Sequence, residues 1–257
     1  MTMIQEEAPV RRVSEVGLNI FQLTFASRAI ADEALPGQFV NVRTAEGSGP
    51  LLRRPFSVSS VQGDEVSLLF NIVGPGTKAL SMMRRGEGLD VLGPLGRGIF
   101  PYDDDAYLTA IIVAGGLGVA PMPFLRASLP EGKKQRVFVG ARSASQFVRI
   151  GLEDAQMATD DGSQGFHGTV VDLLRETLAT NSLPRPRIFS CGPLPMLRAL
   201  REFSQTKNIA CYMALEGEMA CGIGLCQGCP VQSSGGGKKY KLVCSDGPVF
   251  DASTVVF

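Results

Sequence analysis

Tryptophan is absent from the 257-residue chain and histidine occurs once, at His167. A multi-histidine metal site is therefore excluded, and any histidine-based dyad rests on a single residue. Between Phe166 and Gly168 that residue reads as a surface or turn position. No charge predominates either: Lys plus Arg is 25 and Asp plus Glu is 25. The balance removes any general attraction to nucleic acid or to an anionic membrane. The start, MTMIQEEAPVRR, lacks the apolar core of a secretion signal. The uncharged run Leu108 to Leu125 is 18 residues but holds Gly115, Gly116, Gly118, Pro121 and Pro123. Those residues would break a spanning helix, so the run reads as a buried strand, a loop and a helix start. A cytoplasmic protein without membrane contact is expected.

What is present is apolar material and cysteine. Apolar residues make up 44% and charged residues 19%, enough for a sizeable core. The six cysteines are Cys191, Cys211, Cys221, Cys226, Cys229 and Cys244. In a reducing compartment such a set points to metal binding or catalysis rather than disulfides.

The sequence divides into three expected parts. Residues 1–102 read as short strands, among them runs near Ile20–Phe25, Phe39–Val42, Ser57–Ser59, Val66–Phe70 and Leu89–Val91, with Leu18 placed in the first. Turn signals separate them, which predicts an antiparallel β-barrel with one short helix near Thr77. Residues 103–210 alternate apolar runs (Ile111–Ala114, Val137–Val139, Arg187–Ser190) with helices expected near 121–129, 169–179 and 194–205. That pattern predicts βαβ units on a parallel α/β sheet. Asp103-Asp104-Asp105 reads as a solvated join. Residues 211–257 form a small C-terminal cysteine domain, with Ser233 to Gly237 as a flexible turn. Cys211 sits in an apolar run and reads as a packed core thiol.

The sharpest motif is Cys221-x4-Cys226-x2-Cys229, with Cys244 after fourteen intervening residues. Gly222, Gly224 and Gly228 let the backbone wrap an object and aim N–H groups at anionic sulfur. The spacing matches a plant-type [2Fe–2S] ligand run; a structural zinc site usually pairs two C-x2-C knuckles, and only one occurs here. Other motifs are less specific. In Arg54-Pro55-Phe56-Ser57, Arg54 can fork onto a phosphate, Phe56 can lie beside a flat ring and Ser57 can hydrogen-bond a ring edge; the same stretch also suits plain barrel structure. Gly74-Pro75-Gly76-Thr77 opens a helix, suited to a pyrophosphate or to a turn with Thr77 as N-cap. Gly116-x-Gly118-x-x-Pro121 follows a hydrophobic strand in the manner of a nucleotide loop. Cys191-Gly192-Pro193 lies between a strand and a helix, where α/β proteins bind ligands.

Together these motifs resemble the ferredoxin–NADP reductase superfamily. Within it the chain is similar to the electron-transfer subunits of NAD-dependent, two-subunit dihydroorotate dehydrogenases. The segments that carry the likeness are LLRRPFSV, VGPGTKAL, LDVLGPLGRGI, VAGGLGVAP, TDDGS, SCGPLPML, ACGIGLCQGC and VCSDGPVFDAS. The resemblance implies FAD in the barrel, NAD(H) in the α/β domain and a [2Fe–2S] cluster at the carboxyl end. It assigns Arg54, Pro55, Phe56, Ser57, Gly76 and Thr77 to the flavin, and Gly116, Gly118, Pro121, Gly192 and Pro193 to the nicotinamide nucleotide. Cys191 is implied at the nicotinamide, as the catalytic-site thiol, and Cys221, Cys226, Cys229 and Cys244 as cluster ligands. It further implies an FMN-containing catalytic partner in a heterotetramer of two copies of each subunit, working in pyrimidine biosynthesis. Flavin and iron–sulfur subunits of hydrogenases or NAD(P)H–ferredoxin transhydrogenases share most of these motifs, and a zinc-stabilised binding module is the reading from another class. The segment Ser233 to Lys239 looks like an insertion, and Ser145 to Ala158 carries no family signal. NAD and NADP both remain open: Arg142-Ser143 suits a 2′-phosphate, and Asp160 or Asp161 a ribose hydroxyl.

Overall fold

The computed structural model describes residues 3–44, 51–234 and 239–256; part of the expected insertion, residues 235–238, lies outside these. Six strands close into an antiparallel barrel: β1 (Ile4–Gly17), β2 (Ile20–Ala26), β3 (Phe39–Val42), β4 (Arg54–Gln62), β5 (Glu65–Asn71) and β6 (Gly88–Leu95), in the order β1-β2-β5-β4-β3-β6. Alternation places Leu23, Phe25, Val40, Val42, Val58, Leu68 and Phe70 inside. Each such side chain contributes about 1.5–3 kcal/mol on burial. Leu18 is not in a strand but in the β1–β2 turn, 65% exposed. The 14-residue β1 was not foreseen, because its charged outward face hides the inward alternation of Ala8 and Val10. Two short helices accompany the barrel. α1 (Arg28–Glu33) is capped by the Ser27 hydroxyl, which accepts from Ile30 N at 3.0 Å. α2 (Pro75–Ser81) begins two residues before Thr77; Gly74, not Thr77, is its N-cap. Thr77 Oγ1 instead accepts from Val73 N at 2.9 Å.

A seven-stranded sheet follows: β7 (Thr109–Gly115), β8 (Lys134–Ala141), β9 (Gln156–Thr159), β10 (Phe166–His167), β11 (Pro186–Cys191), β12 (Ala210–Ala214) and, after the cysteine segment, β15 (Val249–Asp251). Its order is β10-β9-β8-β7-β11-β12-β15, all parallel except β15. The expected boundary at residue 210 thus needs correction: β12 continues the parallel sheet past it, and β15 returns from the cysteine segment to the sheet edge. Helices α3 (Met122–Ser128), α4 (Val170–Thr180) and α5 (Leu194–Lys207) cover the sheet. Thr169 caps α4 by accepting from Asp172 N, and Asn208 ends α5 in the left-handed conformation, φ 52°. A third sheet, β13 (Pro230–Ser233), β14 (Tyr240–Leu242) and β16 (Val255–Val256), braces the cysteine segment in the order β14-β13-β16.

The acidic join is more than a solvated linker. Asp104 pairs with the buried guanidinium of Arg187, which also donates to Pro101 O at 2.6 Å and lies 4.5 Å from the Tyr107 ring centre. His167 is exposed on the outermost strand. Cys211 is buried at 3% exposure, and burial pushes its thiol up to about 12. Among the described residues no helix is long and apolar enough to cross a membrane.

Candidate cofactor-binding site

The chain runs outward from β7 through β8 to β10, then returns to β11 on the other side of β7. That reversal creates a crevice beyond the carboxyl ends of β7 and β11, the place where open α/β sheets bind ligands. The glycine loop leaves β7 there and Cys191-Gly192-Pro193 leaves β11. The two loops are nested: a Cβ on Gly118 would lie 2.2 Å from Cys191 O and 2.6 Å from Gly192 Cα. Gly116, at φ 54°, faces open space. Pro121 and Pro193 are the N-caps of α3 and α5.

Barrel and sheet together enclose a cavity of about 470 Å³. Arg54, Pro55, Phe56, Ser57, Gly76, Thr77, Pro121 and Cys191 line it, whereas Gly116, Gly118, Gly192 and Pro193 do not. The two adjacent arginines have different partners. Arg53 Nη2 donates to both oxygens of the Asp90 carboxylate at 2.7 Å, and Nη1 to the Asp90 carbonyl at 3.0 Å. Arg54 donates to Leu52 O at 2.7 Å, and among the described residues it meets no carboxylate, leaving its charge for an anionic group. Phe56 combines both roles read for it: it lines the cavity, yet it is 9% exposed and packs edge-on against Phe70, 5.7 Å between ring centres, within the barrel core. Among the described residues Thr44 Oγ1 is buried without a partner, and it would lie 2.7 Å from a Cβ on Gly76. Only glycine allows this approach between β3 and the head of α2.

Cys191 is buried, and burial pushes its thiol well up, with the Glu216 carboxylate adding to the shift. It is a neutral thiol on the cavity wall and not a thiolate nucleophile. Glu216 lines the same cavity, and burial raises its carboxyl above the ordinary range.

The cavity wall leads directly to the cysteines. Leu215, Glu216, Gly217 and Met219 line it, and Cys221 follows two residues later. Gly222 (φ 71°), Gly224 (φ 84°) and Gln227 (φ 58°) wind the loop through left-handed conformations. Gln227 Nε2 donates to Gly224 O at 2.7 Å. Backbone N–H groups converge on sulfur: Ile223 N and Cys226 N on Cys221 Sγ at 3.5 and 3.4 Å, Gly228 N on Cys226 Sγ and Cys244 N on Cys229 Sγ at 3.4 Å. Burial opposes the Cys221 thiolate, but the N–H groups of Cys226, Ile223 and Leu225 prevail and hold it at about 6. Cys244, in contrast, is pushed up to about 12 by burial and by Cys229 beside it. Cys226 is exposed while Cys229 and Cys244 are buried. Four thiols and a ring of inward N–H donors fit an anionic sulfide-bridged cluster. Among the described residues no three His, Cys, Asp or Glu side chains are gathered as closely as a bound metal ion would hold them; the fit rests on the four thiols and the N–H groups aimed at them.

Residues 216–256 match the family described as the iron-sulfur cluster binding domain of dihydroorotate dehydrogenase B. Over 254 residues the sequence is 39% identical to a Bacillus cereus (strain 03BB102) protein, the electron transfer subunit of dihydroorotate dehydrogenase B (NAD(+)). The alignment covers 94% of this chain and 95% of the relative. The corresponding subunit of Bacillus anthracis (strain CDC 684 / NRRL 3495) matches to the same extent, again 39% over 254 residues. The chain belongs to this family of electron transfer subunits. Among solved structures it superposes at TM-score 0.84 and 25% identity on an NADH-dependent reduced ferredoxin-NADP oxidoreductase, covering 98% of this chain and 90% of that one. A ferredoxin NADP+ reductase from Neisseria gonorrhoeae shares the fold at TM-score 0.64 and 18% identity, over 80% of this chain and 91% of that one.

In this subunit the wall residues after β12 escaped the sequence reading. Glu216 belongs to no motif named from the sequence. The available signal was positional: a carboxylate directly after the apolar run Tyr212–Leu215, at the carboxyl end of a strand beside the crevice. The two sets weighed for the nucleotide's 2′ group lie together at the ends of β8 and β9. Asp161 N donates to Arg142 O at 3.2 Å, and the Asp161 carboxylate accepts from Ser163 N at 2.9 Å. Asp160 and Arg142 are exposed.

Proposed function

We propose that this chain receives electrons from a catalytic partner subunit that oxidises dihydroorotate and delivers them to NAD+, in pyrimidine biosynthesis. The observation that carries the reading is the continuity of the site. The wall shared by the barrel and the nucleotide crevice is also the segment that enters the four-thiol loop. FAD in the cavity would exchange a hydride with nicotinamide and single electrons with a [2Fe–2S] cluster, which is why both belong in one chain.

The chain's own residues would hold these groups as follows. Arg54 supplies a cation for the flavin diphosphate, and Gly76 with Thr77 opens the backbone of α2 toward it. Pro55, Phe56 and Ser57 form the barrel side of the cavity. Gly116, Gly118, Pro121, Gly192 and Pro193 shape the two nested loops that receive the nicotinamide nucleotide. Cys191 and Glu216 face the space between, excluding water and offering a neutral thiol and a carboxyl at the hydride-transfer position. Cys221, Cys226, Cys229 and Cys244 ligate the cluster. The barrel (residues 1–102) serves FAD, the sheet NAD(H), and the segment that leaves β12 the cluster. The partner is expected to carry FMN and to assemble with this chain as two copies of each, in the cytoplasm. We favour NAD over NADP because the relatives at 39% identity are NAD(+) enzymes by name.

Reconstitution tests the reading. Mixed with an FMN-containing dihydroorotate-oxidising subunit, the protein should support dihydroorotate-dependent formation of NADH. Activity only with ferredoxin or a hydrogenase subunit would overturn it and favour the other oxidoreductase family on the same fold.

A further inference from the structure

Strand β3 is buried on both faces. Val40 and Val42 fill the barrel. Phe39 points the opposite way and joins the core that contains Cys229 and Cys244. Asn41 shares the parity of Phe39 and is 1% exposed. What covers it is the cysteine loop. Its Nδ2 donates to Cys221 O at 3.1 Å, across 180 positions of sequence. Gly222 presses on the same amide: a Cβ there would lie 2.0 Å from Nδ2 and 2.9 Å from Cγ. The left-handed turn at Gly222 and this close approach both require glycine.

Asn41 also touches the other side of the problem. In the β3–β4 ladder its partner is Pro55, within the Arg54–Ser57 segment that lines the cavity. Against β6 the register slips by one between Phe39 and Asn41, a local irregularity of the kind that re-aims side chains. The Cys221 carbonyl takes its bond from Nδ2, so Oδ1 points elsewhere, and among the described residues it is buried without a partner. Buried polar atoms are nearly always satisfied. A leucine would fill the same volume with no such penalty, yet it would leave Cys221 O without its donor.

We propose that Asn41 is the positioning residue that registers the cluster loop against the flavin-binding wall. The inference rests on Cys221 being a cluster ligand. The Asn41 bond pins the carbonyl of Cys221, and the Gly222 contact pins the turn that follows. That turn aims Ile223 N and Cys226 N at Cys221 Sγ. Asn41 therefore acts on the ligand through its backbone, as outer partners of metal ligands commonly do, and their loss commonly lowers affinity or activity 10–100-fold. Because one-electron transfer falls steeply with distance, a loosened loop slows exchange with the flavin before it affects hydride transfer.

The test uses the assembled complex with Asn41→Leu and Asn41→Asp. The readouts are FAD and [2Fe–2S] content, the electron paramagnetic resonance spectrum of the reduced cluster, and stopped-flow rates for NADH-to-flavin and flavin-to-cluster transfer. Asn41→Leu is expected to keep its FAD and its NADH-to-flavin rate. Its cluster spectrum should change, with cluster retention or flavin-to-cluster transfer falling about tenfold. A leucine variant with native spectrum, content and both rates overturns the inference. Should Asn41→Leu fail to hold FAD, Asn41→Asp decides, since it keeps the shape and loses the donor. FAD retained with an altered cluster supports the positioning role, and FAD lost again makes Asn41 a barrel-core residue and overturns it. A parent protein without any [2Fe–2S] signal would instead refute the cluster assignment itself.

Discussion

Gly118→Ala offers a measured test of the nested nucleotide loops. Ordinary Cβ contacts begin at 3.4 Å, and the new methyl would lie 2.2 Å from Cys191 O, so the loops must part by about 1.2 Å. All three nearest atoms are backbone, Cys191 O and C and Gly192 Cα, so no side chain can swing away. Overpacking of this kind costs about 1–3 kcal/mol. The larger effect falls on chemistry, since a displacement of about 1 Å in a positioned reaction can cost on the order of 100-fold. We expect NADH reduction of the flavin to slow by that order in stopped flow, with FAD and cluster content unchanged. Gly116→Ala separates the clash from the nucleotide side of the loop. Its φ of 54° is strained for alanine by roughly 1 kcal/mol, and no atom of the described fold lies within 4 Å of the added methyl. The two loops should therefore keep their nesting in this variant, and any loss of rate should appear as weaker nucleotide binding. A Gly118→Ala protein that reduces its flavin at the parent rate would show that the two loops do not jointly form the nicotinamide site.

Three further outcomes are expected. Cys191→Ala should slow hydride transfer by about tenfold, equivalent to about 1.4 kcal/mol, while cluster and flavin remain; an unchanged stopped-flow rate would make this thiol purely a packing residue. Cys226→Ser replaces the exposed thiol with a harder ligand, so visible absorption should show the cluster lost or weakened with FAD retained. Electron passage from dihydroorotate to NAD+ should then collapse in a complex that gel filtration shows intact. Asp104→Asn should destabilise the fold by about 1–2 kcal/mol, because it strips the buried Arg187 of its charge partner, though the exposed side of the pair is screened. The hydrogen bond from Arg187 holds the Asp104 carboxyl below its ordinary range. Its contribution is therefore present above the unfolded value of roughly 4 and lost as pH falls through the lowered native value, so acid melts should find the parent losing its advantage over the variant.

The chemistry was legible where residue type and spacing both constrain it. Three cysteines on a glycine loop, and glycines after an apolar strand, leave few alternatives, and the four expected helices lie within a few residues of their places. The failures have physical causes. β1 is half solvent-facing, and its Glu6, Glu7, Arg11 and Arg12 mask the inward residues. Asp104 looked solvated because its partner, Arg187, is 83 positions away. Glu216 and Asn41 gain significance only from contacts distant in sequence, Glu216 on a wall built by three parts of the chain and Asn41 beneath Cys221. No local pattern encodes such meetings.

Those distant contacts also explain why the cluster segment is anchored so firmly. It leaves the sheet from β12 and returns to it as β15, the two strands pairing antiparallel from Ala214–Val249 to Tyr212–Asp251. Leu215 N donates to Pro248 O at 2.9 Å, so the excursion begins and ends at one point. Its return loop also docks on the barrel: Gly98 N donates to Gly247 O at 2.8 Å and Val249 N to Gly98 O at 3.2 Å. A side chain on Gly98 would lie 2.3 Å from Val249 O. The segments LDVLGPLGRGI and VCSDGPVFDAS, which seemed to be separate marks in the sequence, are thus the two halves of one joint. With the Asn41–Cys221 bond on the far side of the loop, the cysteine segment is tied to the sheet once and to the barrel twice. An electron relay needs this arrangement, because its rate depends on a distance, and a loop held at both its root and its crest cannot drift from the cavity whose wall it continues.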